Sequence, residues 1–378
     1  MININKGRLE RTFHELLMIN SPSFKEQEIA GFLVHKLQQY GLDVELQDYG
    51  KSINVIGKRA GAIKTAPPLL FCAHMDTVES TEGICPIVSD GIVKTSGTTI
   101  LGADDKSGIA QILELFAILY YGGVEHGDLE VVFTSGEERF LVGAKGLDFT
   151  KINSRHAIII DSNGKTGSII TGAPTHDEYI MSVRGKAAHA GIEPEKGISA
   201  IKAIAHIIIG IPDGRIDAGT TANIGRVAGG GATNIVPQEA MLHGEIRSHD
   251  AAKLDLLKNT IFTIAKDISK RQQVDLSIES TRQYNGFKLR ESEPFVKILG
   301  KAFQLNGIEP SFILSGGGSD ANIFNANGIK AINISAGYYK PHTSEESADI
   351  EEMCKNVIVL QNVVAKFSGL VAADFLVD

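Results

Sequence analysis

The chain has 378 residues, 43% hydrophobic and 22% charged, with no Trp and a formal net charge of −8 from 37 basic and 45 acidic side chains. This is the composition of an ordinary soluble protein with room for a large core and a second domain, and its negative balance argues against a nucleic-acid partner. Three cysteines (Cys72, Cys85, Cys354) without a CxxC pair argue against a disulfide scaffold. The opening MININKGRLERTF and the run AIAHIIIGIP (203–212) offer neither a signal peptide nor an apolar span of roughly 18–20 residues, so a cytoplasmic protein with no membrane partner is expected.

In chain order, KEQEIAGFLVHKLQQYG (25–41) places Ile29, Phe32, Leu33 and Leu37 at helical spacing, with Gly41 to end the helix. A strand-like LDVELQ follows. PPLLFCAHMD (67–76) reads as a strand buried on both faces that delivers polar residues at its carboxyl end. GADDKSGIAQILELFAILYYGG (102–123) turns from a Gly/Asp corner into a long helix with Ile109, Ile112, Phe116 and Leu119 as its stripe. LEVVFTSGEE (129–138) and HAIIID (156–161) are again apolar strands ending in acids. Repeated strand–corner–helix units predict an α/β sheet covered by helices, with ligands beyond the carboxyl ends of the strands. Those ends carry His74, Asp76, Glu137, Glu138 and Asp161.

The texture changes after about residue 175. DEYIMSVRG, EKGISAIKAIAHIII, TTANIGRVAGG, TNIVPQEAMLHGEIRSHD, DAAKLDLLKNTIFTIAKDISKR and VDLSIESTRQY read as β-α-β-β-α-β. That order suits an inserted ferredoxin-like α+β domain at 176–289, flanked by the two parts of the first domain, 1–175 and 290–378. The glycine-rich VAGGGAT and LSGGGSDA lack the GxxxxGK[ST] pattern, so no phosphate loop is expected.

His74 and Asp76 stand at i and i+2, the same face of a strand, so Asp76 can hold the second ring nitrogen of a metal-binding His74. Paired acids such as Glu137–Glu138 can divide into a metal ligand and a proton carrier. Each motif also has an ordinary reading taken alone: a hydrogen-bonded histidine, acids at a helix N-terminus, a solvated loop. Together, and with His342 in the late YYKPHTSEE loop, they point to a carboxylate-rich site for zinc, cobalt or manganese, without fixing the number of ions.

At these residues the sequence resembles the M20 metallopeptidase family and, within it, the peptidase T-like (tripeptidase-like) branch. The matching pieces are AHMDTV (73–78), TTILGADDKSGIA (98–110), TSGEE (134–138), IIID (158–161), AAHAG (187–191), TNIVP (233–237), GEIRSHD (244–250), SGGGSDA (315–321) and KPHTSEE (340–346). The resemblance implies a zinc-peptidase-type mixed sheet flanked by helices, with the inserted domain as a lid. It also implies two divalent ions, most simply zinc, with cobalt or manganese as alternatives. His74, Asp104 and Asp161 would hold one ion; Asp104, Glu138 and His342 would hold the other. Asp76 would orient His74, Glu137 would be the general base, and a cis peptide would follow Asp104.

His189 resembles the lid histidine that steadies the oxyanion in its own or a partner subunit. Asn234, Arg247 and Gly317, the last within the run Gly316–Gly318, resemble substrate-holding groups, and a homodimer through the inserted domain is implied. Where many members have proline after the lid histidine, this chain has Ala190. The expected activity is cleavage of short peptides, aminopeptidase- or tripeptidase-like. A carboxypeptidase, a dipeptidase or an N-acyl amino acid amidohydrolase would share every metal residue.

Overall fold

The computed structural model describes residues 3–369 and divides them into two compact units. The first comprises residues 3–171, 288–314 and 319–369; the second comprises 172–287 and 315–318.

The first unit is built on a nine-stranded mixed sheet. Its order is Asp43–Asp48, Ile53–Arg59, Leu129–Thr134, Leu69–His74, His156–Ser162, Lys330–Ser335, Ser168–Ala173 and Phe287–Lys288, with Ser311–Leu314 also paired to Ser168–Ala173. The four strands from Leu129–Thr134 to Lys330–Ser335 run parallel to one another. All six residues of LLFCAH and all six of LEVVFT are buried, as a sheet covered on both faces requires. Register sets His74 opposite Thr134, so His74, the Glu137–Glu138 corner and Asp161 leave the sheet at one edge.

The helix Ala103–Gly122 packs against Leu69–His74, and Phe71 meets Phe116 edge-on with ring centroids 6.3 Å apart. Helices Lys6–Leu17 and Ile350–Ser368 lie against this helix. Burying each large apolar side chain of this layer contributes about 1.5–3 kcal/mol. The helix Lys6–Leu17, which Asn5 starts by accepting the Arg8 N–H (3.0 Å), is not among the predicted elements. Nor is a small second sheet in the order Tyr338–Tyr339, Ser347–Asp349, Ile92–Thr95 and Pro86–Ser89. That sheet anchors both ends of the loop carrying His342.

The second unit is a five-stranded antiparallel sheet ordered Gly214–Asp217, Thr220–Gly229, Glu239–Ser248, Thr175–Arg184 and Asp275–Tyr284. Without its first short strand this is the ferredoxin-like arrangement; Gly214–Asp217 is an extra edge strand that the β-α-β-β-α-β reading omits. Helices Ala200–Gly210 and Ala251–Gln272 cover one face, burying Ile204, Ile207, Leu254 and Ile261 against Tyr179, Met181 and Leu242. Gly244 is needed there, because a Cβ at that position would strike the Tyr179 ring. The predicted span of 176–289 did not include Ser315–Gly318, which joins this unit through the Ser315 N–H to Gly172 O bond (2.8 Å). Among the described residues no helix is long and apolar enough to cross a membrane.

Candidate active site

The first unit gathers His74, Asp76, Asp104, Glu137, Glu138, Asp161 and His342 at the carboxyl edge of its parallel strands. His74 is buried at the end of its strand. Its Nε2 lies 3.0 Å from Asp104 Oδ1 and 3.6 Å from Asp161 Oδ1. The other oxygen of Asp104, Oδ2, is 3.3 Å from His342 Nε2, which in turn is 2.8 Å from Glu138 Oε1. One carboxylate thus serves two imidazole–acid groups. The ligand atoms of His74, Asp104 and Asp161, and those of Asp104, Glu138 and His342, each fall within 4.8 Å of one another. Glu137 joins a third such group with His74 and Glu138.

The helix start that carries Asp104 is not regular. Gly102 is left-handed (φ 72°), Asp104 and Asp105 are non-helical, and the Asp104–Asp105 peptide is cis. The buried Glu346 carboxylate braces this corner: Oε2 accepts the N–H groups of Leu101 and Gly102 (2.8 Å each) and Oε1 accepts that of Asp104 (3.0 Å). Asp105 points the other way and accepts the His74 backbone N–H (3.2 Å). Gly108 allows the helix to close on the strand carrying Asp161. A Cβ there would come within 2.5 Å of Asp105 Oδ1 and closer still to Ile160 O.

Asp76 takes a broader part than the one expected of it. The His74 Nδ1 partner at 2.9 Å is the backbone carbonyl of Asp76, whereas its carboxylate Oδ1 stands at 3.5 Å. That carboxylate mainly accepts the backbone N–H groups of Glu137 (2.9 Å) and Glu138 (3.2 Å) and the Ser23 hydroxyl (2.7 Å). With Nδ1 donating to a carbonyl, Nε2 is the nitrogen left for a ligand.

Electrostatics at the cluster are those of acids crowded out of water. Burial, reinforced by Asp161 and Glu138 against the opposing pull of His74, raises the Glu137 carboxyl well above the usual range. Burial likewise raises Asp161, with Asp104 adding to it. Asp104 is held low in spite of burial because both imidazoles bond to it. Asp104 and Glu138 push His342 up to about 10. The acids around His74 and His342 shift both imidazoles upward, the mark of a site that favours positive charge. This donor set, two imidazole nitrogens and carboxylate oxygens around a shared aspartate, fits divalent zinc, cobalt or manganese better than calcium.

Sequence reasoning missed the supporting groups. Tyr338 donates its hydroxyl to Asp161 Oδ1 (3.3 Å), and Asn333 pairs with the Asp161 backbone in both directions (3.0 and 2.8 Å). The buried Asp320 accepts from the Thr134 hydroxyl, and burial lifts its pKa to about 6. Lys106, fully buried, donates to Ile19 O (2.6 Å). Thr134, Asp320, Lys106 and Tyr338 fall in motifs quoted above, yet nothing in their spacing marks these roles.

The other candidates lie in the second unit. His189 and Asn234 are exposed neighbours: His189 bridges to Ile235, and Asn234 O accepts the Ala190 N–H (2.9 Å). Arg247 and Gly317 also come together, as a Cβ at Gly317 would sit 4.0 Å from an Arg247 Nη.

Residues 172–273 match the peptidase dimerisation domain of the M20 group, and residues 54–171, which carry His74, Asp104, Glu137, Glu138 and Asp161, match peptidase family M28. The chain is 39% identical to the YqjE protein of Bacillus subtilis (strain 168) over 372 residues, 96% of this chain and 98% of that one. The crystal structure of aminopeptidase PepT from Bacillus cereus ATCC 10987 superposes with a TM-score of 0.89 at 36% identity, covering 96% of this chain and 99% of the other. A tripeptidase from Staphylococcus aureus subsp. aureus Mu50 superposes with a TM-score of 0.93 at 34% identity, covering 97% and 100%. The chain belongs to the M20 family of metal-dependent peptidases, in its peptidase T-like branch.

Proposed function

We propose that this enzyme removes residues from the amino end of short peptides, tripeptides foremost, using two divalent cations and Glu137 as general base. The observation that carries the reading is Asp104, whose two oxygens face two separate imidazole–acid groups. His74, Asp104 and Asp161 would hold one ion, and Asp104, Glu138 and His342 the other. When bound, the ions would supply Lewis acidity toward water and the scissile carbonyl. The remaining work falls to side chains. Glu137, within 4.8 Å of His74 and Glu138 ligand atoms, takes a proton from the attacking water on its carboxylate and returns it to the leaving amine. Asp76 fixes the position of Glu137 through its backbone N–H. His189 is assigned the oxyanion and Arg247 the peptide's carboxylate. The match to a peptidase dimerisation domain supports a homodimer, and three unbridged cysteines suit a reducing cytoplasm.

Metal analysis of saturated protein should find two divalent ions per chain; saturation at one would sink the two-ion reading. Glu137→Gln should keep both ions and lose about 10²-fold or more in kcat. His189→Ala should cost about 10²–10³ in kcat with both ions retained. A panel of tripeptides, dipeptides and N-acyl amino acids separates the aminopeptidase reading from the carboxypeptidase, dipeptidase and amidohydrolase alternatives.

A further inference from the structure

The face of the second unit's sheet that carries no helices holds a charged arrangement whose geometry has a direction. Glu245 and Arg247 stand two apart on the strand Glu239–Ser248 and so share that face. Arg247 Nε donates to Glu245 Oε1 and Arg247 Nη2 to Glu245 Oε2, each at 3.0 Å. This is the bidentate pairing of a carboxylate with the side edge of a guanidinium. Register places His176 directly opposite Arg247, and His176 Nε2 is 3.1 Å from Glu245 Oε2. His176 is 1% exposed and meets Tyr284 edge-on with centroids 5.2 Å apart. Tyr284 in turn fixes the glycine loop. A Cβ at Gly318 would lie 2.6 Å from the tyrosine oxygen, so only glycine lets the ring and the loop meet.

A guanidinium has five N–H donors. Glu245 takes the Nε–H and one Nη2–H, leaving the end edge formed by Nη1 and the second Nη2–H. Nη1 is the atom nearest Gly317, at 4.0 Å from where a Cβ would be. Beside it Gly316 faces open space, with nothing within 4 Å of a Cβ built there. Arg247 is thus held by one edge and offers the other toward a backbone loop without side chains.

We propose that Glu245 is a positioning residue for substrate selection: braced by His176, it clamps the side edge of Arg247 so that the end edge receives the C-terminal carboxylate of a short peptide. The inference rests on the reading that Arg247 binds that carboxylate, and adds the groups that aim it. Glu245 does not yield its place to the substrate. The close approach of His176 Nε2 and the paired Arg247 hold its pKa down to about 2, and Glu178, directly opposite on the next strand, would repel it once unpaired.

The test compares a tripeptide with a free C-terminus against the same tripeptide amidated, for the wild-type enzyme and for Glu245→Gln, Glu245→Asp and Arg247→Lys. Losing the aim of one charge-assisted pair should cut the preference for the free carboxylate about tenfold in Glu245→Gln. The loss should appear in KM rather than kcat, and Glu245→Asp should recover part of it. The Arg247 Nε–H resonance, restrained in the wild type, should move to the shift and exchange rate of a free arginine in Glu245→Gln. An unchanged preference and an unchanged resonance in Glu245→Gln would overturn the inference, as would an equal loss on both substrates. If Arg247→Lys abolishes the preference while Glu245→Gln keeps it, the carboxylate reading of Arg247 stands and the positioning role of Glu245 falls. If the wild type shows no preference, the carboxylate reading falls and the substrate role of Glu245 with it. A Glu245→Gln protein that fails to fold leaves Glu245→Asp to decide by the same ratio.

Discussion

Asp104 has one oxygen toward His74 and the other toward His342, so its orientation matters more than that of any other acid in the cluster. Its backbone is held by Glu346, whose carboxylate accepts three N–H groups from the 101–104 corner. Glu346→Gln keeps the shape but replaces one acceptor oxygen by an N–H₂ donor facing an N–H group. Partners that orient a ligand without binding the metal typically contribute about 10–100-fold to affinity. Glu346→Gln is therefore expected to weaken metal binding by that order while every ligand remains, as read by competition with a chromophoric chelator. A second residue-scale expectation concerns acid. The pKa of Glu245 falls from 4.5 to about 2 on folding, through His176 first and then Arg247. A depressed carboxylate pKa contributes stability that is fully present above the unfolded value and is lost as pH falls through the folded one. The stability gap between wild type and Glu245→Gln, measured by urea unfolding, should thus be constant above about pH 5.5 and close between about pH 4.5 and 2.

At the scale of elements, the candidate active site is the place where four parallel strands stop and one helix starts. Gly108 decides how closely that helix approaches. Gly108→Ala would push a methyl group into Ile160 O and Asp105 Oδ1, neither of which can retreat without moving the strand or the corner. A cost of about 1–3 kcal/mol, the usual range for overpacking, is the lower bound here because one of the struck atoms is backbone. Thermal melts should show the loss, and metal affinity should fall with it, since the helix carries Asp104.

Much of this arrangement was legible in the sequence because it is written in runs. LLFCAH and LEVVFT are apolar throughout and end in chemistry-bearing residues, so both the burial and the site edge could be read from them. The alternation in Glu239–Ser248 likewise betrays a sheet with one covered face. What could not be read is pairing across long sequence distances. Glu346 lies 242 residues from Asp104, and no periodicity links them. Asp76 was assigned to its nearest partner, His74, because the i, i+2 rule sees only neighbours; its bonds to the Glu137–Glu138 corner cross 61 and 62 residues. The small sheet joining Ile92–Thr95 to Ser347–Asp349 was invisible for the same reason, each strand being only three or four residues long.

For the whole molecule, the two units differ in what metal can do for them. Every group of three or more side chains suited to a cation, among the described residues, belongs to the first unit. The second has its own core, from Tyr179 and Met181 to Ile261 and Ala265, and no such group among the described residues. In the first unit several buried carboxyls are driven toward protonation by burial and mutual repulsion, a strain that a bound cation relieves. A ligand that binds only the folded form stabilises it by about 2.7 kcal/mol at a hundred times its Kd. For a unit of this size that corresponds to roughly 5–10 °C per site. Calorimetry of chelated protein, repeated after adding zinc or manganese, should therefore show one unfolding transition rising by at least that much and another staying within about a degree. His74→Ala, which removes a proposed ligand from the cluster, should reduce the rise. Two transitions rising together would mean that the stabilisation is not confined to the first unit, and transitions that do not move at all would mean that the acids of the first unit fold without help from a cation.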